Sequence, residues 1–135
     1  MNKTKLKTSL FIVSSFLIPA IMMFFIYLSQ GIYWNSDTSP LLGDGYHQYV
    51  IFDTTLRNIL HGTDSLFYSF QSGLGINFYA LSSYYLGSFF SPLVYFFDAQ
   101  SMPDAVYLIT LLKFGAIGLS TYVSLHGMFA KIPRF

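Results

Sequence analysis

Between Leu10 and Leu28 the chain carries no charged residue. Coiled as a helix with a 1.5 Å rise per residue, this run reaches about 28 Å, close to the roughly 30 Å of a bilayer's hydrocarbon core. Lys3, Lys5 and Lys7 precede it. A cleaved signal peptide shares the basic start, but its apolar region spans about 7–15 residues and ends in a small-residue cleavage site. This run is longer and no such site follows it, so it reads as an uncleaved signal anchor. Pro19 sits mid-run, removes one backbone hydrogen bond and predicts a kink, which membrane helices tolerate.

Composition points the same way. Only 10% of the 135 residues are charged, against about 25% in soluble domains. Fifteen Phe and eleven Tyr suit rings held at the headgroup level. A net charge of +1, with no basic cluster beyond the extreme N-terminus, excludes a nucleic-acid partner. Cysteine is absent, which excludes disulfides, thiolate metal sites and a Cys nucleophile. Asp37, Asp44, Asp53 and Asp64 fall after the first apolar run, with Arg57 the one base among them. Lys and Arg near a span tend to stay cytoplasmic. The N-terminus is therefore expected in the cytoplasm and residues 31–77 outside.

The expected fold is an all-α membrane protein with two to three transmembrane helices. A basic N-terminus (1–8) leads into the first span (9–30), then an extracytoplasmic loop (31–77) carrying an amphipathic surface helix at 46–61. Residues 78–97 form a second apolar run, interrupted by Gly87, Ser91 and Pro92, and read either as a span or as a re-entrant segment. A polar turn (98–104), with Pro103 at a helix start, precedes a third run (105–129) and a tail (130–135). If all three runs span, Lys131 and Arg134 lie outside, against the positive-inside tendency; a re-entrant 78–97 keeps them cytoplasmic.

The outward segment holds most of the chemistry. Tyr33 and Trp34 read as an interfacial anchor, and Asn35–Gly45 as a loop. From Tyr46 to His61, the residues Tyr46, Tyr49, Val50, Leu56, Ile59 and Leu60 predict one apolar helix face. Asp44 is placed to cap this helix and Gly62 to end it. Asp53 and Arg57 stand at i,i+4, the spacing of a helical ion pair. Gly73-Leu74-Gly75 lets the backbone approach another group closely but lacks the strand context of a dinucleotide loop. Lys113 in the third run is costly in hydrocarbon and points to a bundle interior, an ion pair or a snorkelling position. Gly115 and Gly118 suit close helix packing.

Several of these residues fall into one ordered series. Gly43-Asp44-Gly45-Tyr46-His47-Gln48-Tyr49 resembles the Asp-x-x-x-Gln-Tyr motif of the bacterial YfhO family. Gly73-Leu74-Gly75-Ile76-Asn77-Phe78, Tyr84-Tyr85, Ser91-Pro92 and Leu112-Lys113-Phe114-Gly115 with Gly118-Leu119 are similar to that family in order and spacing, over roughly residues 9–126. Family members are several times longer, so the chain is expected to be the N-terminal portion of a larger bundle.

The resemblance implies a membrane glycosyltransferase of the GT-C type in the bacterial cell membrane. Such an enzyme moves a sugar from a polyprenyl-phosphate carrier to a cell-wall polymer, teichoic acid in Gram-positive bacteria, on the outer face. It implies Asp44 as catalytic base or as a helper in binding a divalent cation. His47, Gln48, Tyr49, Asn77 and Lys113 are the candidate substrate-binding residues. A lone His beside one Asp makes no metal site, so none is assigned. Each residue also has a structural reading: Asp44 as cap, Gln48 and Tyr49 as packing, Asn77 as the end of the loop. Three helices and one loop cannot enclose a lipid donor and an acceptor, so this stretch alone is not expected to be a competent enzyme. A transporter component or a small non-catalytic membrane subunit is the alternative, suited by Lys113 and a broken 78–97 segment.

Overall fold

The computed structural model describes residues 3–41, 43–71 and 73–129; the expected tail at 130–135 lies outside them. Helix α1 covers Lys3–Ser29, α2 Val50–Leu60, α3 Phe78–Tyr85 and α4 Met102–Phe129. A π-helical turn, Gly45–Tyr49, leads into α2. Two 3-10 turns, Ser91–Phe96 and Ala99–Ser101, lead into α4. The chain divides into two compact units, one of residues 1–30 and 110–135 and one of residues 31–109.

The first unit pairs two apolar helices. Its Leu6–Ser29 stretch has 24 residues, about 36 Å of helix, enough to cross a bilayer. Ala99–Phe129 also qualifies by length and composition. On α1, the side chains of Leu10, Phe11, Val13, Leu17, Ile18, Ile21, Met22 and Phe25 are all exposed. They cover about half of the helix surface, as in a segment with lipid on one side, while Phe16, Pro19 and Met23 on the other side are half-buried. The helices meet where side chains are smallest. A Cβ added at Gly115 would sit 2.6 Å from the Phe16 ring. One at Gly118 would strike the Ser15 carbonyl and lie 2.5 Å from Pro19 Cγ. These glycines allow the close backbone approach that membrane helices use in place of a hydrophobic drive.

The second unit is built around α2. Phe52, Asp53 and Thr55 are its buried residues. Val94, Met102, Ala105 and Ile109 form one cluster, with Val50, Leu56, Phe90, Leu93 and Phe97 packed on it. Phe52, Phe78 and Leu86 form another, with Ile51, Leu56, Ile59, Leu66, Leu81 and Tyr85 around it. Leu56 belongs to both. Met102, Ala105 and Ile109 share one face of α4 by i, i+3, i+7 spacing. Phe78, Val94 and Met102 are fully buried, each worth about 1.5–3 kcal/mol of transfer free energy.

Residues 78–97 do not form one continuous helix. Helix α3 has eight residues, about 12 Å, and stops at Leu86 before Gly87. Pro92 then starts the 3-10 turn. The break falls at Gly87, Ser91 and Pro92, the residues that interrupt the run in the sequence. Phe78, Leu86 and Val94 are buried in the unit's core, whereas Tyr84, Phe89 and Phe96 of the same segment are exposed.

The face that the spacing predicts for α2 holds in part: Val50, Leu56 and Ile59 pack on the two clusters. Tyr46, Tyr49 and Leu60 are exposed, whereas Phe52 is buried. For the two tyrosines the reason is the π-helical turn. Its i→i+5 bonding carries Tyr46 and Tyr49 off the line that α-helical spacing assigns. Gly62, with φ +76°, ends α2 as expected, its amide bonding to the Ile59 carbonyl.

Polar side chains at the end of α2 fasten the 3-10 turn. Arg57 Nε donates to the Phe97 carbonyl at 2.8 Å and Nη1 to Asn58 Oδ1 at 3.2 Å, with Asp98 3.4 Å from Nη2. Arg57 is thus engaged with the 3-10 segment rather than turned along its own helix toward Asp53. His61 Nε2 lies 3.0 Å from the Tyr95 carbonyl, and its ring stacks on Tyr95 at 4.4 Å. Asp98 and Ser101 close a capping box before α4. Asp104, in the first turn of α4, accepts the Asn35 amide at 2.8 Å.

Two expectations follow. Gly118→Leu lowers the thermal stability of the detergent-purified protein by about 1–3 kcal/mol of overpacking, whereas Gly127→Leu, with nothing within 4 Å of its Cβ, leaves it unchanged. Arg57→Ala destabilises the second unit by about 1.5–3 kcal/mol, the range for a hydrogen bond to a charged donor. Arg57→Lys does not restore it, because an ammonium cannot serve Phe97 and Asn58 with one planar fork; limited proteolysis within 31–109 reads both.

Candidate functional site

Asp44 and Gly45 open the π-helical turn, and Gly43, at φ +56°, turns the chain into it. Asp44 makes no side-chain capping bond, so the capping role is corrected. Its Oδ1 instead accepts from Gln48 Nε2 at 3.1 Å, one turn later. A carboxylate can only accept, so the Gln48 amide must present its NH2 there. The Gln48 carbonyl is then turned to accept the Tyr85 hydroxyl, at 2.7 Å.

Tyr85 is held firmly at the end of α3. Its ring lies 4.9 Å from Phe52, 4.8 Å from Tyr84 and 5.5 Å from Tyr49, edge-on to the last two. Such edge contacts suit the ring quadrupoles. The polar chain Tyr85–Gln48–Asp44 therefore starts on a packed aromatic shelf and ends at an exposed carboxylate. Asp44 Oδ2 has no hydrogen-bond partner among the described residues, so it is open to an incoming hydroxyl.

The other candidates distribute differently. His47 is exposed, with its ring edge-on to Tyr46 at 5.8 Å. Tyr49 is exposed beside Tyr85. Asn77 caps α3, its side chain accepting the Tyr79 amide at 3.0 Å. Lys113 is an exposed residue of the two-helix unit. The structure thus joins Asp44, Gln48 and Tyr49 through Tyr85, and leaves Asn77 in a capping role. Tyr85 is the residue that reading the sequence missed as a site member. The Tyr84-Tyr85 pair was visible, but its link to Gln48 spans 37 positions and has no local signature.

Two clefts flank α2, and neither borders Asp44. One, of about 140 Å³, is lined by Thr55, Asp64, Ser65, Tyr68, Ser69, Phe70 and Gln71. The other, of about 160 Å³, is lined by Val50, Ile51, Thr54, Thr55, Asn58 and Gln71. Both fall short of the roughly 300–1,000 Å³ of ligand pockets. Among the described residues, no three His, Cys, Asp or Glu side chains gather around one point. Asp44 with an amide and a phenol supplies far fewer oxygens than the six or more that a calcium-like cation takes.

Two helices apolar enough to cross a bilayer, with a helical unit between them that presents a carboxylate on an aromatic shelf, define an α-helical membrane protein. A model of the family described as bacterial membrane protein YfhO matches residues 14–135. The chain belongs to the YfhO family. Comparison with curated proteins and with solved structures finds no match.

The shelf makes a measurable distinction. Tyr85→Phe keeps the ring and removes the hydroxyl, and costs about 1 kcal/mol. Tyr85→Ala removes the ring packing as well and costs about 3–5 kcal/mol. Denaturation of the purified protein in detergent orders the two variants.

Proposed function

We propose that this chain carries the acceptor-activating part of a membrane glycosyltransferase. In the full-length protein, the enzyme transfers a sugar from a polyprenyl-phosphate carrier to a cell-wall polymer such as teichoic acid. The protein is multi-pass, with its N-terminus in the cytoplasm and residues 31–109 on the outer face. Asp44 is the base. It takes the proton of the acceptor hydroxyl as that oxygen attacks the anomeric carbon, and the carrier phosphate leaves. A base in this role needs to come within about 2.6–3.2 Å of the proton-bearing oxygen.

The observation that carries this reading is the exposed Asp44 carboxylate, fixed on one oxygen by Gln48 and Tyr85 and open on the other. A base gains from being pre-oriented, because no reorganisation is then needed during reaction. Gln48 and Tyr85 orient it. Tyr49 and His47, exposed on the same turn, offer a ring and an imidazole to the sugar. Lys113 is proposed to meet a carrier phosphate, since a Lys in an apolar helix generally answers to a functional partner. Family membership supports the membrane setting. The broken segment 78–97 also suits a substrate path, the feature that would favour a transporter component.

The test is cell-wall glycosylation in a strain lacking the full gene, complemented with wild type or with Asp44→Asn. Loss of polymer sugar on deletion, restored by wild type and not by an equally expressed Asp44→Asn, is the expected result. Full restoration by Asp44→Asn removes Asp44 as the base. Untouched sugars in the deletion strain remove the glycosyltransferase reading and favour transport.

A further inference from the structure

From Ser65 to Phe97 the chain contains no charged residue. The charged residues of the unit, Asp37, Asp44, Asp53, Arg57, Asp64, Asp98 and Asp104, all lie outside that stretch. Part of the uncharged stretch is spent on the core, as Phe78, Leu86 and Val94 show. The rest is not. Phe67 is 69% exposed, Phe70 75% and Leu74 98%.

Phe70 and Leu74 belong to a loop closed at its base, and Phe67 lies just before it. Ser69 and Ile76 exchange both backbone hydrogen bonds, at 2.9 Å each, and close its base. Gly73 and Gly75 adopt φ +57° and +110°, which side chains resist. The Tyr68 hydroxyl lies where a Cβ on Gly75 would have to sit, and its ring packs edge-on to Phe70 at 4.9 Å. The Gly-Leu-Gly turn therefore has one evident product, a Leu side chain projected at the end of a pinned loop. Single exposed apolar residues are ordinary on a surface, but three large ones exposed within eight residues, with no charge among them, mark a surface that meets something apolar.

We propose that the 67–76 segment is a membrane-interface anchor, with Leu74 and Phe70 immersed at the headgroup–acyl boundary of the lipid bilayer. Three features single out lipid as the occupant. The loop has no charge with which to meet a charged partner. Its exposed groups, Phe, Leu and a Tyr with a polar tip, are those enriched at membrane interfaces. The unit also begins at Gly31, immediately after a stretch long enough to span, so the chain itself holds it at a bilayer surface. The proposal does not depend on the glycosyltransferase reading.

The absence of native cysteine allows a direct test. Leu74→Cys and Phe70→Cys, each carrying a nitroxide, are reconstituted as the full chain in phosphatidylcholine vesicles. Collision with oxygen, which partitions into lipid, is compared with collision with a water-soluble nickel chelate, and Asp37→Cys serves as the exposed polar reference. An oxygen-to-nickel ratio several-fold above the reference at both positions is the expected result. A ratio equal to the reference places the loop in water and overturns the proposal. Low accessibility to both reagents shows that protein covers the loop and overturns it equally.

Discussion

An uncharged helix of about 19 residues or more that exposes half of its apolar surface needs hydrocarbon on that side. From Leu10 to Leu28 helix α1 is such a helix, with its remaining face turned to α4 at Ser15, Phe16 and Pro19. Within lipid, apolar contact no longer drives helices together, so the first unit relies on close approach at Gly115 and Gly118. The chain spends its polar groups elsewhere. Six aspartates and Arg57 lie between Gly31 and Ile109, where the backbone bends through turns that lipid would not tolerate unless they were buried in protein.

That second unit is held by a division of labour. Leu56 ties two apolar clusters together, and Arg57, the next residue, ties α2 to the carbonyl that ends the 3-10 turn. One side chain excludes water and its neighbour satisfies a backbone acceptor. The Arg57–Asp98 contact adds little, since Asp98 is almost fully exposed and water screens the pair. The bond to Phe97 matters more, because the acceptor is a main-chain group that would otherwise lose its partner. The same unit places Tyr85 beside α2, and so connects its packing to the position of Asp44.

What the sequence made legible was what depends on local pattern. The first span, the α4 helix, the end of α2 at Gly62 and the packing glycines each rest on a run or on a single residue type. Asp44 and Gln48 were both visible through the family motif, but the bond between them was not read from it. The π-helical turn was not legible, because five ordinary residues give no sign of i→i+5 bonding, and it moved Tyr46 and Tyr49 off the expected face. Residues 78–97 read as one apolar run because composition does not show where a helix stops. Gly87 and Pro92 mark the break, and helix α3 ends before them. Tyr85 and the Arg57–Phe97 bond are long-range pairings, specified by the fold as a whole.

The proposed transfer requires the Asp44 turn to stand on the outer side of the membrane. Because the chain has no native cysteine, Asp44→Cys gives a single reporter for this. Intact cells expressing the full-length variant are treated with a membrane-impermeant maleimide, before and after lysis. Complete labelling in intact cells is the result expected of an outward site. Labelling that appears only after lysis puts the turn in the cytoplasm and contradicts transfer from an outward-facing lipid-linked sugar.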